Sequence, residues 1–314
     1  MLGADVLVIG GSGFVGRHLV AALAARGARV TVPVRRPERA RHLLTLPTVE
    51  LVAADVGRRR RALARLVRGR DAVINLVGIL HGGKDRALQR GPNNYGPEFA
   101  RLHVELPQAI IAACREAGVK RLLHVSALGA ALDAPSEYLR SKAVGEQMVL
   151  AAEDLDVTVF RPSVIFGPED GFLNLFAHLA RITPLLAVVC PAARFQPVYV
   201  GDVARALVVA LGERASFGRR YDLCGPRAYT MKELARYACR ASGRRRVVFG
   251  VPAPLTWPLA ALLERLPGKL VTRDNLRSMS VDNVCPGCPQ GSLPFGIAPT
   301  ALETVAPEYL APYR

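Results

Sequence analysis

The sequence predicts an α/β protein, a doubly wound parallel sheet followed by a smaller C-terminal lobe. Three observations predict it. Short apolar runs alternate with helical patterns through the first half of the 314 residues, as a parallel sheet requires. Most of these runs are apolar nearly throughout, which suits strands covered on both faces. The first run also passes through a glycine-rich turn into a helix, the unit on which such sheets begin.

Taken in order, residues 6–9 form a strand. Residues 13–26 form a helix with Val15, Leu19, Val20, Leu23 and Ala24 on one face and Gly27 as its stop. Strands at 29–34 and 49–53 flank a short helix at 37–44. A helix at 59–67 ends near Gly69, and 71–77 is a fourth strand. Residues 97–117 read as one long helix stopped by Gly118, and 121–126 as a fifth strand. A helix at 138–152 leads to a sixth strand at 157–161. Beyond Pro162 the alternation loosens, with a helix at 172–182, a strand at 196–200 and a helix capped by Asp202 through Leu211. A short strand follows at 221–223. Thr230 caps a helix at 231–242, and Glu233 completes a capping box. A strand at 245–249 and an apolar helix at 254–266 come next, and the tail from Cys285 reads as mostly irregular. Residues 1–165 are therefore expected to form the sheet domain, completed by about 195–225. Residues 166–194 and 226–314 would form a smaller substrate or partner lobe at the C-terminal ends of the strands.

The turn after the first strand reads Gly10-Gly11-Ser12-Gly13-Phe14-Val15-Gly16. Glycines here let the backbone turn tightly, approach a pyrophosphate and pack the helix on the strand. The helix N-terminus then offers free N–H groups and a positive dipole end to the anion. Two glycine registers fit, one starting at Gly10 and one at Gly11, both continuing to Gly13 and Gly16. All seven residues are candidate cofactor contacts in a Rossmann dinucleotide site; a glycine turn without ligand is the plain alternative. The second strand ends at Arg35-Arg36, where an NAD-preferring protein usually carries an acid for the ribose 2′-hydroxyl. An arginine fork suits the 2′-phosphate of NADP(H), which is therefore favoured, with NAD(H) as the alternative. Asp55 and Val56 after the third strand could hold the adenine, although an aspartate there also caps loops. Leu76, Val77 and Gly78 end the fourth strand where the backbone would pass the adenine ribose.

Tyr138 and Lys142 are spaced to share one face of a helix. An ammonium near a phenol lowers the phenol pKa from about 10 toward the working range. Tyr138 could then exchange the proton that accompanies hydride transfer at a carbonyl or alcohol. Lys142 could also hold the nicotinamide ribose, and Ser126 could bind the substrate oxygen.

These motifs, in this order, resemble the short-chain dehydrogenase/reductase superfamily in its extended or atypical branch. The runs from Arg161 to Pro168 and from Pro197 to Ala204 match it too. The resemblance implies that Pro162, Ser163 and Val164 lie beside the nicotinamide. The run from Tyr138 to Glu146, that from Arg161 to Asp170, and Phe172-Leu173-Asn174 narrow it. Over nearly the whole chain the sequence resembles the NAD(P)H-binding accessory subunit of respiratory complex I and its bacterial relatives, described as epimerase/dehydratase-like. That likeness implies either an oxidoreductase acting on a hydrophobic carbonyl, alcohol or quinone-related molecule, or a non-catalytic NADPH-holding accessory or assembly protein. A sugar-nucleotide epimerase or dehydratase is the third option. Only 12 positions separate Ser126 from Tyr138, fewer than in typical extended members, and the stretch between them is small and mostly apolar.

Formal charge is +16, and only five of the 42 basic residues are lysines. The runs 58–61 and 244–246 lack interleaved aromatics, so they read as solvated faces or an acidic-lipid contact, with no nucleic-acid partner. The apolar helix at 254–266, with Leu255, Trp257, Leu259, Leu262 and Leu263, reads first as core and second as a membrane-surface or partner-docking face. The residues before the first strand are too few for a signal peptide, and no apolar run reaches the ~18 residues of a membrane span. A cytoplasmic location, peripheral to the inner membrane if the respiratory likeness extends that far, is expected with free thiols. Cys285 and Cys288 have redox or ligand spacing but no second pair for zinc, so no metal is expected; they read as inert thiols, with a stray disulfide as the alternative. His81, His103, His124 and His178 lack partners at ligand spacing and read as structural.

Overall fold

The computed structural model describes residues 3–81, 94–265, 271–286 and 293–311. Thirteen strands appear in these segments: β1 (Asp5–Ile9), β2 (Arg29–Val34), β3 (Val49–Ala53), β4 (Ala72–Asn75), β5 (Arg121–Val125), β6 (Asp156–Pro162), β7 (Ile165–Phe166), β8 (Leu185–Val188), β9 (Arg194–Phe195), β10 (Val198–Tyr199), β11 (Arg219–Leu223), β12 (Tyr229–Thr230) and β13 (Val247–Gly250). The α-helices are α1 (Phe14–Ala24), α2 (Arg60–Val67), α3 (Pro97–Phe99), α4 (Leu106–Ala117), α5 (Glu137–Leu150), α6 (Leu173–Ile182), α7 (Val200–Ala210), α8 (Met231–Ala241), α9 (Ala253–Leu263), α10 (Arg273–Ser278) and α11 (Leu302–Leu310).

Seven strands form one sheet in the order β11-β6-β5-β4-β1-β2-β3. The pairs from β6 to β3 are all parallel. Strand order reverses between β1 and β4, the point at which such sheets bind ligands beyond their carboxyl ends. This is the Rossmann fold expected from the alternation. Leu7, Ile9, Val73, Leu122, Val157 and Val159 of the sheet pack with Leu63, Ile110 and Cys114 of the helices in one buried cluster. The chain separates into two compact units. The first holds residues 1–133, 137–161 and 203–221, and the second holds 134–136, 162–202 and 222–314. The second has its own core, where Phe166, Leu173, Leu186, Leu234 and Ala306 meet.

Four departures from the sequence-based expectations have physical causes. The helix at 97–117 is interrupted by a π-helical stretch, Ala100–Glu105. Pro107 has no N–H to give the carbonyl of His103, and Leu106 N–H reaches back to Arg101. Asp202 lies inside α7 and does not cap it; its carboxylate accepts from the Thr300 backbone N–H at 2.7 Å and hydroxyl at 3.1 Å. The tail contains α11, where Leu302, Ala306 and Leu310 recur at helical spacing on a buried face. The thiols are not all free: Cys224 and Cys285 are joined by a disulfide across a sequence separation of 61. Cys288 lies outside the described residues. The Thr230–Glu233 capping box forms as expected.

Candidate functional site

The first unit places β1, the glycine turn and α1 at the strand-order reversal. Gly10 adopts a φ of 86°, open to glycine at little cost. At Gly16 an added Cβ would strike the Gly10 carbonyl and lie 2.6 Å from Gly11. The helix therefore meets the strand end as closely as backbones can. A Cβ on Gly11 would come 2.8 Å from Val32 of β2. Gly13 precedes α1 in extended backbone, with no side chain over the helix end. The first-turn N–H groups of α1 have no intrahelical acceptors, and Ser12, Phe14 and Val15 line this end half-buried.

Arg35 and Arg36 follow β2 and are exposed; the Arg35 charge adds to the lowering of the Glu98 carboxyl, whose main partner is Arg101. Asp55 and Val56 follow β3, half-buried; the Asp55 carbonyl caps the turn into α2 by accepting from Arg58 and Arg59 N–H. Beyond β4, Leu76 N–H bonds the Ile9 carbonyl at 2.9 Å, which seats the β4 end beside the glycine turn. Asn75 accepts from Val77 N–H at 3.1 Å and donates to His124 Nδ1 at 3.1 Å. Burial drives His124 down to about 3, so its ring is a neutral acceptor.

Tyr138 and Lys142 lie on α5. Lys142 Nζ donates to the carbonyls of Val125 at 2.7 Å and Val77 at 3.3 Å, linking the ends of β5 and β4. Burial lowers its pKa to about 8, while Glu146 pulls the other way. The phenol behaves otherwise than the motif predicts. Burial pushes Tyr138 up to about 12. Two of the three ammonium N–H groups of Lys142 are held by these backbone carbonyls. Ser126 is buried, and its Oγ has no hydrogen-bond partner among the described residues. Its N–H donates to the Phe160 carbonyl at 2.7 Å, which fixes the hydroxyl at the β5 end.

Sequence reasoning missed the groups that position this helix. His103 Nε2 accepts from Ile79 N–H at 3.0 Å, which leaves Nδ1–H to donate to Ser141 Oγ at 2.8 Å. Ser141 then donates to the Tyr138 carbonyl at 2.8 Å. Burial holds the His103 pKa well below its usual value, with Lys142 adding to the effect. The His103 ring also meets the Tyr138 ring edge-on at 5.7 Å. Gly145 is the close-approach point: an added Cβ would collide with the His103 carbonyl. Arg161 donates to both carboxylate oxygens of the buried Glu146 and to the Ala130 carbonyl, tying down the loop after Ser126. The visible signal was a histidine four residues before a proline within a helical pattern. The partners of His103 lie at non-local separations and left no trace.

The second unit holds Pro162, Ser163 and Val164. The Ser163 hydroxyl donates to Asn283 Oδ1 at 2.6 Å, and Val164 N–H donates to the same oxygen at 2.9 Å. The hydroxyl of Ser163 is thus committed within its own unit. Among the described residues no cluster of three metal-ligating side chains occurs, and no helix is long and apolar enough to cross a membrane.

The family model described as the NAD dependent epimerase/dehydratase family matches residues 6–224. The chain belongs to that family. Within it, the chain is 30% identical over 319 residues to the mouse (Mus musculus) mitochondrial protein named NADH dehydrogenase (ubiquinone) 1 alpha subcomplex subunit 9, covering 99% of this chain and 81% of the relative. It is 34% identical to the ceramide reductase of Caulobacter vibrioides, covering 82% of this chain and 77% of the relative. A solved epimerase from Methanothermobacter thermautotrophicus superposes with a TM-score of 0.72 at 17% identity, covering 99% of this chain and 92% of that one. That structural likeness shows the epimerase/dehydratase fold. The relatives of this epimerase/dehydratase-family chain thus include a protein named as a reductase and one named as a subunit of NADH dehydrogenase.

Proposed function

We propose that this chain is an NADP(H)-dependent reductase of the short-chain dehydrogenase/reductase type, acting on a hydrophobic carbonyl such as a quinone-related or lipid-like molecule. The carrying observation is the Ser126 hydroxyl at the end of β5, buried and without a hydrogen-bond partner among the described residues. Leaving such a group unpaired costs about 1–3 kcal/mol, and a substrate oxygen would satisfy it.

The residues fit a dinucleotide. The glycines of the turn leave no Cβ in the way of a pyrophosphate, and the first turn of α1 offers N–H donors. Arg35 and Arg36 are exposed cations suited to a 2′-phosphate. Asp55, Val56, Leu76, Val77 and Gly78 would line the adenine and ribose side. Pro162, Ser163 and Val164 would serve the nicotinamide side through backbone and ring contacts, the Ser163 hydroxyl being occupied. Bound NADPH would supply the hydride. Tyr138, kept protonated by burial, would donate the proton to the developing alkoxide. Lys142, charged at neutral pH, would stabilise that negative charge, and Ser126 would orient the oxygen. The small, mostly apolar stretch 127–135 suits a hydrophobic substrate, and the ceramide reductase relative supports the same class.

In the test, Tyr138→Phe retains NADPH binding but no longer consumes NADPH with a hydrophobic ketone. Wild-type turnover by this variant would refute the assignment. Arg35→Ala with Arg36→Ala weakens NADPH binding far more than NADH binding; equal weakening would refute the 2′-phosphate contact.

A second reading is a non-catalytic NADPH-holding accessory protein with a respiratory-complex contact. It is favoured by near full-length identity to a subunit of that name, and by a Lys142 already committed to backbone carbonyls. Under it, Tyr138→Phe leaves cellular function unchanged and the bound nucleotide is recovered unconsumed.

A further inference from the structure

We propose that β13 and α9 form a docking face for an anionic lipid bilayer. The sequence of α9 carries no charge from Ala253 to Leu263, yet only Thr256 and Ala260 are buried. Ala260 packs with Val189 and Leu276 in a small cluster. The other side is open: Leu255 is 59%, Trp257 46% and Leu262 58% exposed. This is the reverse of a core helix, and it overturns core packing as the first reading of the segment. The strand leading into it also carries exposed apolar side chains. Val247 and Phe249 of β13 are exposed, and Val247 pairs with the equally exposed Leu185 of β8. Ile182, at the end of α6, is exposed as well. Large exposed apolar side chains in this number mark an interaction surface.

Charge selects the partner. Arg244, Arg245 and Arg246 precede β13, Arg265 follows α9, and Arg181 stands beside Ile182. The neighbouring acids are already engaged: Glu264 bonds Arg273 at 2.7 Å, and Asp274 lies 3.9 Å from Arg277. The Arg277 guanidinium also sits 5.3 Å over the Trp257 ring. An uncharged helix with exposed leucines and a tryptophan, followed by Arg265 and preceded by a strand that follows the exposed Arg245, matches the chemistry of an interfacial helix. The apolar residues enter the acyl boundary, and the arginines meet anionic headgroups. The overall charge of +16 adds attraction of the same sign.

Trp257 is the chain's single tryptophan, so its fluorescence reports this face alone. Full-length protein is mixed with vesicles of phosphatidylcholine containing phosphatidylglycerol, or of phosphatidylcholine only. With anionic vesicles the protein co-sediments and Trp257 emission shifts to the blue, and both effects weaken as salt rises. Arg245→Glu and Arg265→Glu each reduce partitioning about fivefold or more per unit of charge removed. Leu255→Asp abolishes partitioning while far-ultraviolet circular dichroism and dinucleotide binding stay unchanged. Absence of a blue shift, equal binding to neutral vesicles, or wild-type binding by Leu255→Asp overturns the proposal. A concentration-dependent dimer that Leu255→Asp dissolves also overturns it, because the face then belongs to a second copy of the chain.

Discussion

Replacing Gly145 by alanine sets two effects of opposite sign against each other. By helix propensity the change should stabilise α5 by up to about 1 kcal/mol. The structure says otherwise, because the new Cβ would overlap the carbonyl oxygen of His103. That oxygen is backbone, so it cannot rotate away, and it belongs to the π-helical stretch that Pro107 leaves without an ordinary donor. Forcing extra volume into such a contact costs about 1–3 kcal/mol or more. The clash is with backbone, which puts the steric cost at the upper end of that range, so it exceeds the propensity gain by about 2 kcal/mol. At roughly 2–4 °C for each kcal/mol, the thermal midpoint falls by several degrees. Gly171→Ala is the control: no atom lies within 4 Å of its Cβ, and its φ is not positive. The assay is thermal unfolding of both variants beside wild type, followed by circular dichroism. An unchanged or raised midpoint for Gly145→Ala would show that α5 and the π-stretch are not packed backbone to backbone.

Three further outcomes are expected. Ser126→Ala leaves the ligand-free protein as stable or slightly more stable, since it removes an unpaired buried hydroxyl. The same change lowers turnover about a hundredfold; thermal melts and a ketone-dependent NADPH assay measure the two effects, and an equal loss of both would refute the role. His124, held down to about 3, and His103, held well below its usual value, both stay neutral as the unfolded imidazoles take up protons near 6.5. In that window the unfolded chain binds more protons, so stability is complete above about 6.5 and falls by about 1.4 kcal/mol per pH unit for each ring below it. Denaturant melts at stepped pH check this, and a flat profile until the carboxylate range would contradict it. Cys224→Ser removes a crosslink spanning 61 residues and costs about 4 kcal/mol in the chain-entropy description. Thermal melts of the variant and of wild type with and without a dithiol reductant measure it; coincident curves would refute the crosslink.

The fold was legible because its determinants are local. The glycine turn, the apolar strands and the Thr230–Glu233 box each act within a few residues, and their period is written in the chain. The helix at 302–310 was equally legible from Leu302, Ala306 and Leu310, but the surrounding prolines and glycines masked it. The interrupted helix at Pro107 was half legible, since proline announces a lost donor without saying whether the helix will break or widen. Within the candidate site, the residue types could be read but not their electrostatics. Lys142 tunes a phenol only if its charge is free to do so, and the carbonyls of Val77 and Val125 that engage it are 65 and 17 residues away. The Cys224–Cys285 pairing and the grip of Asn283 on Ser163 and Val164 are likewise long-range, and no sequence periodicity encodes them. Exposure at Leu255, Trp257 and Leu262 is a property of what the fold leaves uncovered, which hydrophobicity alone reads as core.

The hydrogen bonds through His103 run in one direction, from the Ile79 amide across the imidazole and the Ser141 hydroxyl to the Tyr138 carbonyl. Such a row of donors and acceptors has the outward form of a proton wire. Both of its terminals, however, are peptide groups, and neither releases nor keeps a proton in ordinary water. The row is therefore a strut with closed ends: it locks one tautomer and holds the pitch of the helix beneath the phenol. Any proton that Tyr138 hands on in the proposed reaction must be replenished by another route than this row.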